Sequence, residues 1–198
     1  MISDTRVIVW HSLVDHSLEM CWIKRVGPTW GFSGSAVLVE DDVPVSLSYT
    51  LDLDISARST RFDGRFRLGS VPEQSLTLDG IAGGNWHSGG DAHAVSQHPP
   101  LVGPSCIDLG WTPLTNTFAI WHLDLAIGAS AEITTAWMPF PRLTFESSQQ
   151  RYTRLTERRY RYDQAAIDFT AELEVDDDGV VQRYGDIWEQ IPFQRGQS

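Results

Sequence analysis

Residues 45–55 carry the clearest pattern in the chain: Val45, Leu47, Tyr49, Leu51, Leu53 and Ile55 alternate with Ser46, Ser48, Thr50, Asp52 and Asp54. An apolar period of two belongs to a β-strand with one face on a core and the other in water. Ile167, Phe169, Ala171, Leu173 and Val175 repeat it against Asp168, Thr170, Glu172 and Glu174. Asp176-Asp177-Asp178-Gly179 follows with turn chemistry, so the spacing predicts a hairpin there. Shorter runs of the same kind cover residues 61–68, 75–78, 118–127, 132–138 and 151–162. Capped helical periodicity is nearly absent. Residues 184–191 have room for one or two helical turns carrying Ile187, Trp188 and Ile191 inward, so any helix is expected to be short and peripheral. The pattern predicts an all-β fold of long antiparallel strands.

At 198 residues the chain has a length at which sandwiches and barrels often remain one unit, and residues 1–198 are read as a single domain. Ala36, Leu38, Asp41, Asp42, Val45 and Tyr49 recur in the same spacing as Ala171, Leu173, Asp176, Asp177, Val180 and Tyr184. An internal duplication with a pseudo-twofold axis leaves such an echo, and so do two hairpins of similar composition. Residues 83–104 change character, with Gly-Gly pairs from Gly83 and Gly89, then His93, His98 and Pro99-Pro100. This is a loop longer than ordinary connections, of the kind that serves as a lid or an insertion.

Hydrophobic residues at 41% and charged residues at 21% suit a chain that folds around a core. The formal net charge of -11 repels phosphate backbones, which removes nucleic acid from the expected partners. The N-terminus has Arg6 but no apolar run and no small-residue cleavage site, so residence in the cytoplasm is expected. No stretch approaches the roughly 18 consecutive apolar residues of a membrane span; residues 118–127 are broken by His122 and Asp124. Cys21 and Cys106 read as free thiols.

Eight tryptophans, Trp10, Trp22, Trp30, Trp86, Trp111, Trp121, Trp137 and Trp188, exceed what a chain of this size ordinarily carries. An indole offers a flat apolar face and one N–H donor, which suits a sugar ring or an acyl wall and equally suits core filling between sheets. Residues 106–117 crowd Asp108, Thr112, Thr115, Asn116 and Thr117 around Pro113, either as a site or as turns that satisfy their own backbone. His87, His93 and His98 with Asp91 match no zinc spacing, and no metal is expected. Gly31-Phe32-Ser33-Gly34 misses the nucleophile-elbow spacing, no Gly-rich phosphate loop occurs, and no cofactor is expected. Arg142, Arg151, Arg154, Arg158, Arg159 and Arg161 gather in one segment. On a strand, Arg154 and Arg158 share a face with Tyr152, Tyr160 and Tyr162, a row suited to phosphate or sugar hydroxyls, or to pairing with acidic neighbours.

From Cys106 onward the chain reads Cys106-Ile107-Asp108-Leu109, Thr112-Pro113-Leu114-Thr115-Asn116-Thr117, Ala136-Trp137, Pro141 and Gln150-Arg151-Tyr152-Thr153-Arg154-Leu155. Val175-Asp176, Gly179, Val181, Tyr184 and Trp188 follow. In order and spacing this series resembles the Putative glycolipid-binding family of bacteria. Trp10, Trp30-Gly31-Phe32 with Gly34, Tyr49 and residues 84–86 extend the likeness over nearly the whole chain. The resemblance implies a pseudo-twofold-symmetric, barrel-like shell of many strands, similar in shape to bacterial lipoprotein carriers, and a glycolipid or other amphipathic small molecule as partner. One departure stands out. After Asn116-Thr117 the family has Leu-Pro-Ile-Arg-Arg-Leu, whereas this chain has Phe118-Ala119-Ile120-Trp121-His122-Leu123, with stacking and one or two hydrogen bonds in place of two guanidiniums.

The expectation is a binding protein with an aromatic-lined cavity. Trp86, Trp121, Trp137 and Trp188 would form the apolar wall, and Asp108, Thr112, Thr115, Asn116, His122, Tyr152 and Arg154 would hold the polar end of the ligand. Two rivals are an enzyme acting on a sugar or lipid intermediate with Asp108 or His122 as general base, and an interaction protein whose tryptophans all fill a packed core.

Overall fold

The computed structural model describes residues 5–81, 85–90 and 101–193. Its strands are β1 (Thr5–Ser12), β2 (Leu18–Val26), β3 (Thr29–Glu40), β4 (Val43–Leu53), β5 (Ser59–Leu68), β6 (Gln74–Ile81), β7 (Asn85–Gly89), β8 (Leu101–Val102), β9 (Cys106–Leu109), β10 (Ser130–Met138), β11 (Glu146–Arg154), β12 (Arg159–Gln164), β13 (Phe169–Val175), β14 (Val181–Tyr184) and β15 (Trp188–Gln190). All belong to one sheet, in the order β8 to β1, then β15 to β9. The pairings are antiparallel throughout except between β9 and β10, and the halves meet where β1 pairs with β15, Trp10 opposite Gln190 and Ser12 opposite Trp188.

The two outermost strands, β8 and β9, follow one another in the chain, so the sheet must curl to bring its ends together. One backbone and two side-chain hydrogen bonds stitch the gap: Ser59 N–H donates to the Ser105 carbonyl (3.1 Å), Ile107 N–H donates to Ser59 Oγ (2.9 Å), and Trp86 Nε1 donates to the Pro104 carbonyl (2.9 Å). No continuous ladder closes the ring, but the strands that the alternation predicts form the barrel-like shell that the resemblance implies. The inward positions of β4 are those of the sequence pattern, Val45, Leu47, Tyr49, Leu51 and Leu53 all being buried. Ile55 falls beyond the strand and is 76% exposed.

Three local expectations change. Residues 151–162 are a hairpin, β11 turning into β12, with Tyr152 opposite Tyr162 and Arg154 opposite Tyr160. Residues 184–191 are a tight turn between β14 and β15, with no helix, and Trp188 is buried. The echo between the two halves falls on two hairpins whose registers differ. Leu38 pairs with Val45, whereas its counterpart Leu173 pairs with Tyr184 and not with Val180.

The largest departure lies at the centre. Residues 118–127, read as a strand, belong mostly to helix α1 (Leu114–Leu123), which ends at Asp124 in the left-handed conformation. Residues 114–120 are all buried, and seven consecutive positions span nearly two turns, so the helix is enclosed on every face. It is the core of the barrel and no peripheral ornament. Topology requires it: β9 and β10 run parallel, and parallel neighbours need a crossover connection, which α1 supplies through the interior. A helix buried all round has no amphipathic stripe, which is why periodicity gave no sign of it. Thr112 Oγ1 accepts from Leu114 N–H (3.0 Å), and Pro113, with φ of −76°, stands at the cap, so Thr-Pro is the start signal. Among the described residues no helix is long and apolar enough to cross a membrane.

Gly34 explains how the wall admits a polar group. It lies opposite Tyr49, and a Cβ at that position would collide with the Tyr49 ring, which lies across the glycine. Only with this space free does the Tyr49 hydroxyl reach Glu19 on the next strand. Gly34→Ala is expected to destabilise the fold by about 2 kcal/mol or more through overpacking, measured by urea unfolding.

Candidate functional site

The polar residues of the α1 segment are gathered in one network. Asp108 Oδ1 accepts from Thr115 Oγ1 (3.0 Å), and Oδ2 accepts from Gln150 Nε2 (2.5 Å). Asn116 Nδ2 donates to the Tyr152 hydroxyl (2.9 Å), and Thr117 Oγ1 accepts from Val181 N–H (3.2 Å). Of the expected polar grip, Asp108, Thr115, Asn116 and Tyr152 lie in one network, and all four are buried. Their hydrogen bonds run to one another and to Gln150, docking the helix onto β9, β11 and β14. Burial raises the Asp108 carboxyl above its usual range, and the bonds from Gln150 and Thr115 offset part of that.

A second buried carboxyl stands on the other side of the same loop, and the sequence reading passed over it. Glu19 on β2 is fully buried and held by the hydroxyls of Tyr49 and Thr112, while its Oε2 has no partner among the described residues. The Trp111 indole N–H is also unsatisfied, and the Trp111 ring meets the Tyr49 ring edge-on at 6.2 Å. Burial pushes the Glu19 carboxyl up to about 7, the bonds from Thr112 and Tyr49 opposing the rise. The available signal was phase: Glu19 occupies the inward register of β2 with Cys21 and Ile23. Both cysteines are buried free thiols, Cys106 pushed up to about 12 by desolvation, so neither is poised as a nucleophile.

Trp121 and His122, at the end of α1, reach open space. They line a cleft of about 600 Å³ with Arg25 and Trp30 from the β2–β3 hairpin, residues 55–58 from the β4–β5 loop, and Asp178. The loop is shaped by Asp54 Oδ1, which accepts from Ser56 N–H (2.8 Å) and Arg58 N–H (2.9 Å). It is tied to the helix because His122 Nδ1 donates to the Ser56 carbonyl (2.8 Å), leaving Nε2 unengaged among the described residues. Trp121 Nε1 donates to the Asp178 carbonyl (2.8 Å), which fixes its ring. That approach needs Gly179: its φ is 77°, and a Cβ there would stand 2.9 Å from Trp121 Nε1. Trp30 and Trp121 tilt against each other at 5.3 Å, and Phe32 links Trp121 (6.2 Å) to Phe118 (4.6 Å), so a chain of rings runs from the core to the rim. The Arg25 guanidinium lies 5.6 Å over the Trp30 ring.

The other expected residues lie apart. Trp86, Trp137 and Trp188 are on β7, β10 and β15, three separate sections of the sheet. Arg154 donates to the carbonyls of Leu125, Thr156 and Glu157 and lies over Tyr160, bracing the β11–β12 turn. Arg151, Arg158, Arg159 and Arg161 pair with Glu132, Asp177, Glu172 and Asp163, the acidic-neighbour alternative. Two other open clefts, of about 830 and 630 Å³, contain ion pairs such as Arg183–Glu189 and Arg151–Glu132 that satisfy their charges internally. Asp91, His93 and His98 lie outside the described residues, and among those described no cluster is arranged to hold a metal ion. Asp108 and His122, the two bases of the enzyme reading, sit in different surroundings, one enclosed in its network and the other at the open cleft.

The sequence matches the family described as Putative glycolipid-binding over residues 7–190. The chain belongs to that family. A solved DUF1089 family protein from Pseudomonas aeruginosa is similar at 25% identity, with a TM-score of 0.74, covering 96% of this chain and 94% of its own. A β-barrel-like protein of the DUF1849 domain from Brucella abortus shares the fold alone, at 8% identity and a TM-score of 0.52, covering 94% and 95%. Among curated proteins no relative matches. Residues that carry the resemblance have physical roles in this chain: Gly34 and Tyr49 position Glu19, Thr115, Asn116 and Tyr152 dock the central helix, and Gly179 seats Trp121.

Unfolded, the Glu19 carboxyl releases its proton near 4.5; folded, it does so near 7. Between those values the native state holds more protons, so this group's contribution is fully present below about 4.5 and is lost as pH rises through 7, about 3 kcal/mol in all. Glu19→Gln is expected to flatten that slope, which urea unfolding of both proteins between pH 4.5 and 8 measures.

Proposed function

We propose that this protein binds an amphipathic small molecule of the glycolipid class, with the sugar stacked at the cleft where α1 reaches the surface. The observation that carries the reading is the pair Trp30 and Trp121, two half-buried indoles in ring contact that line a cleft of about 600 Å³, within the ordinary size of a ligand site. Flat apolar faces beside hydrogen-bonding groups are what a pyranose ring needs, since its C–H face stacks while its hydroxyls seek polar partners. The guanidiniums of Arg25 and Arg58 supply donors at the rim, and His122 Nε2, its Nδ1–H given to Ser56, supplies an acceptor for a hydroxyl. Ile55, so exposed for an apolar residue, gives the first methylenes of a tail a surface, at about 0.8 kcal/mol for each one buried.

In this reading the ligand sits at the mouth, because α1 and its hydrogen-bond network occupy the middle of the barrel. Asp108, Thr115, Asn116 and Tyr152 then serve binding indirectly, by holding the helix that presents Trp121 and His122. Titration with octyl β-D-glucoside below its micelle concentration, followed by tryptophan emission, is expected to saturate. Trp121→Ala is expected to weaken the binding about tenfold, the loss of one stacking face. Absence of saturable binding to the unaltered protein, or equal affinity in the variant, overturns the reading.

A further inference from the structure

The chain carries 15 basic residues against 26 acidic ones, so an arginine without a carboxylate beside it is a departure from the pattern. Among the described residues the arginines fall into two groups. All but three reach a carboxylate within 4.0 Å. Of the three, Arg154 is spent on main-chain carbonyls. The other two are Arg25 and Arg58, which come from different loops and line the same cleft as Trp30, Trp121 and His122. Arg25 gives Nε to the Gly27 carbonyl (3.2 Å), which leaves the two terminal nitrogens of its fork for a ligand. Both arginines are exposed, so neither is there to satisfy a buried neighbour.

We infer that the head group taken by this cleft is anionic: a sugar bearing a carboxylate or phosphate, whose charge lies between Arg25 and Arg58 while its ring stacks on the tryptophans. The inference rests on the binding reading above and names its ligand more narrowly. A guanidinium fork matches a carboxylate or phosphate in geometry as well as charge. The net charge of the whole chain opposes an anion at long range, but beyond about 8 Å that field is screened at physiological ionic strength, and the local guanidiniums decide. His122 Nε2, on the same side of the helix end, accepts from a hydroxyl of the same sugar.

The test compares octyl β-D-glucoside with octyl β-D-glucuronide, which differ by one carboxylate, and with free glucuronate, which lacks the tail. The unaltered protein is expected to bind the octyl glucuronide at least tenfold more tightly than the octyl glucoside, and Arg25→Gln/Arg58→Gln is expected to reduce that preference below threefold. Glucuronate binding more weakly than octyl β-D-glucuronide identifies the anion as a lipid head group; binding equally well supports the anion site and assigns it to a free sugar acid. Equal affinity for the two octyl ligands, or a preference that survives in the double variant, overturns the inference and leaves the glycolipid reading standing. Failure of both octyl ligands to bind overturns the reading itself.

Discussion

A helix enclosed on every side cannot leave its polar side chains to water, and that constraint organises this barrel. α1 carries Thr115, Asn116 and Thr117 in its first turn, and each finds a partner in the wall: Asp108, Tyr152 and the backbone of Val181. Leaving any of these groups unpaired would cost about 1–3 kcal/mol, so the network specifies where the helix sits as much as it stabilises it. The apolar side chains of Leu114, Phe118 and Ile120 then fill the space that the curled sheet leaves.

That placement links the interior to the surface. Because the start of the helix is anchored by Thr112, Thr115 and Asn116, its end is delivered to a defined point on the rim, where Trp121 and His122 are fastened to the β13–β14 turn and the β4–β5 loop. Each fastening uses a main-chain carbonyl, which takes the indole N–H and the imidazole Nδ1–H and leaves the ring faces and Nε2 for other uses. The cleft is therefore assembled from four segments distant in sequence, joined at the end of a helix whose start is buried.

Two buried carboxyls flank the loop that feeds α1, and they are treated differently. Asp108 has both oxygens engaged, whereas one Glu19 oxygen finds no partner among the described residues. An acid so placed favours its proton near neutral pH, which relieves the burial of charge. The tyrosine that holds it depends in turn on a glycine, Gly34, so a residue with no side chain makes room for the hydroxyl that bonds a carboxyl on the adjacent strand.

The sequence by itself determined the strands, because an alternating run such as residues 45–53 has only one arrangement that buries its apolar members, and local chemistry is enough to say so. It determined the acidic hairpin tip at residues 176–179 and the lack of a metal spacing on the same local grounds. It singled out Asp108, Thr115, Asn116 and Tyr152 as belonging together, although not for what. Only the tertiary structure decided that residues 114–123 are a helix, since burial on all faces erases the stripe by which helices are recognised and the parallel pairing of β9 with β10 is a long-range fact. Only it joined Arg25, Trp30, Arg58, Trp121 and His122, because a cleft is a property of loops that meet in space, and no spacing along the chain records which loops will meet.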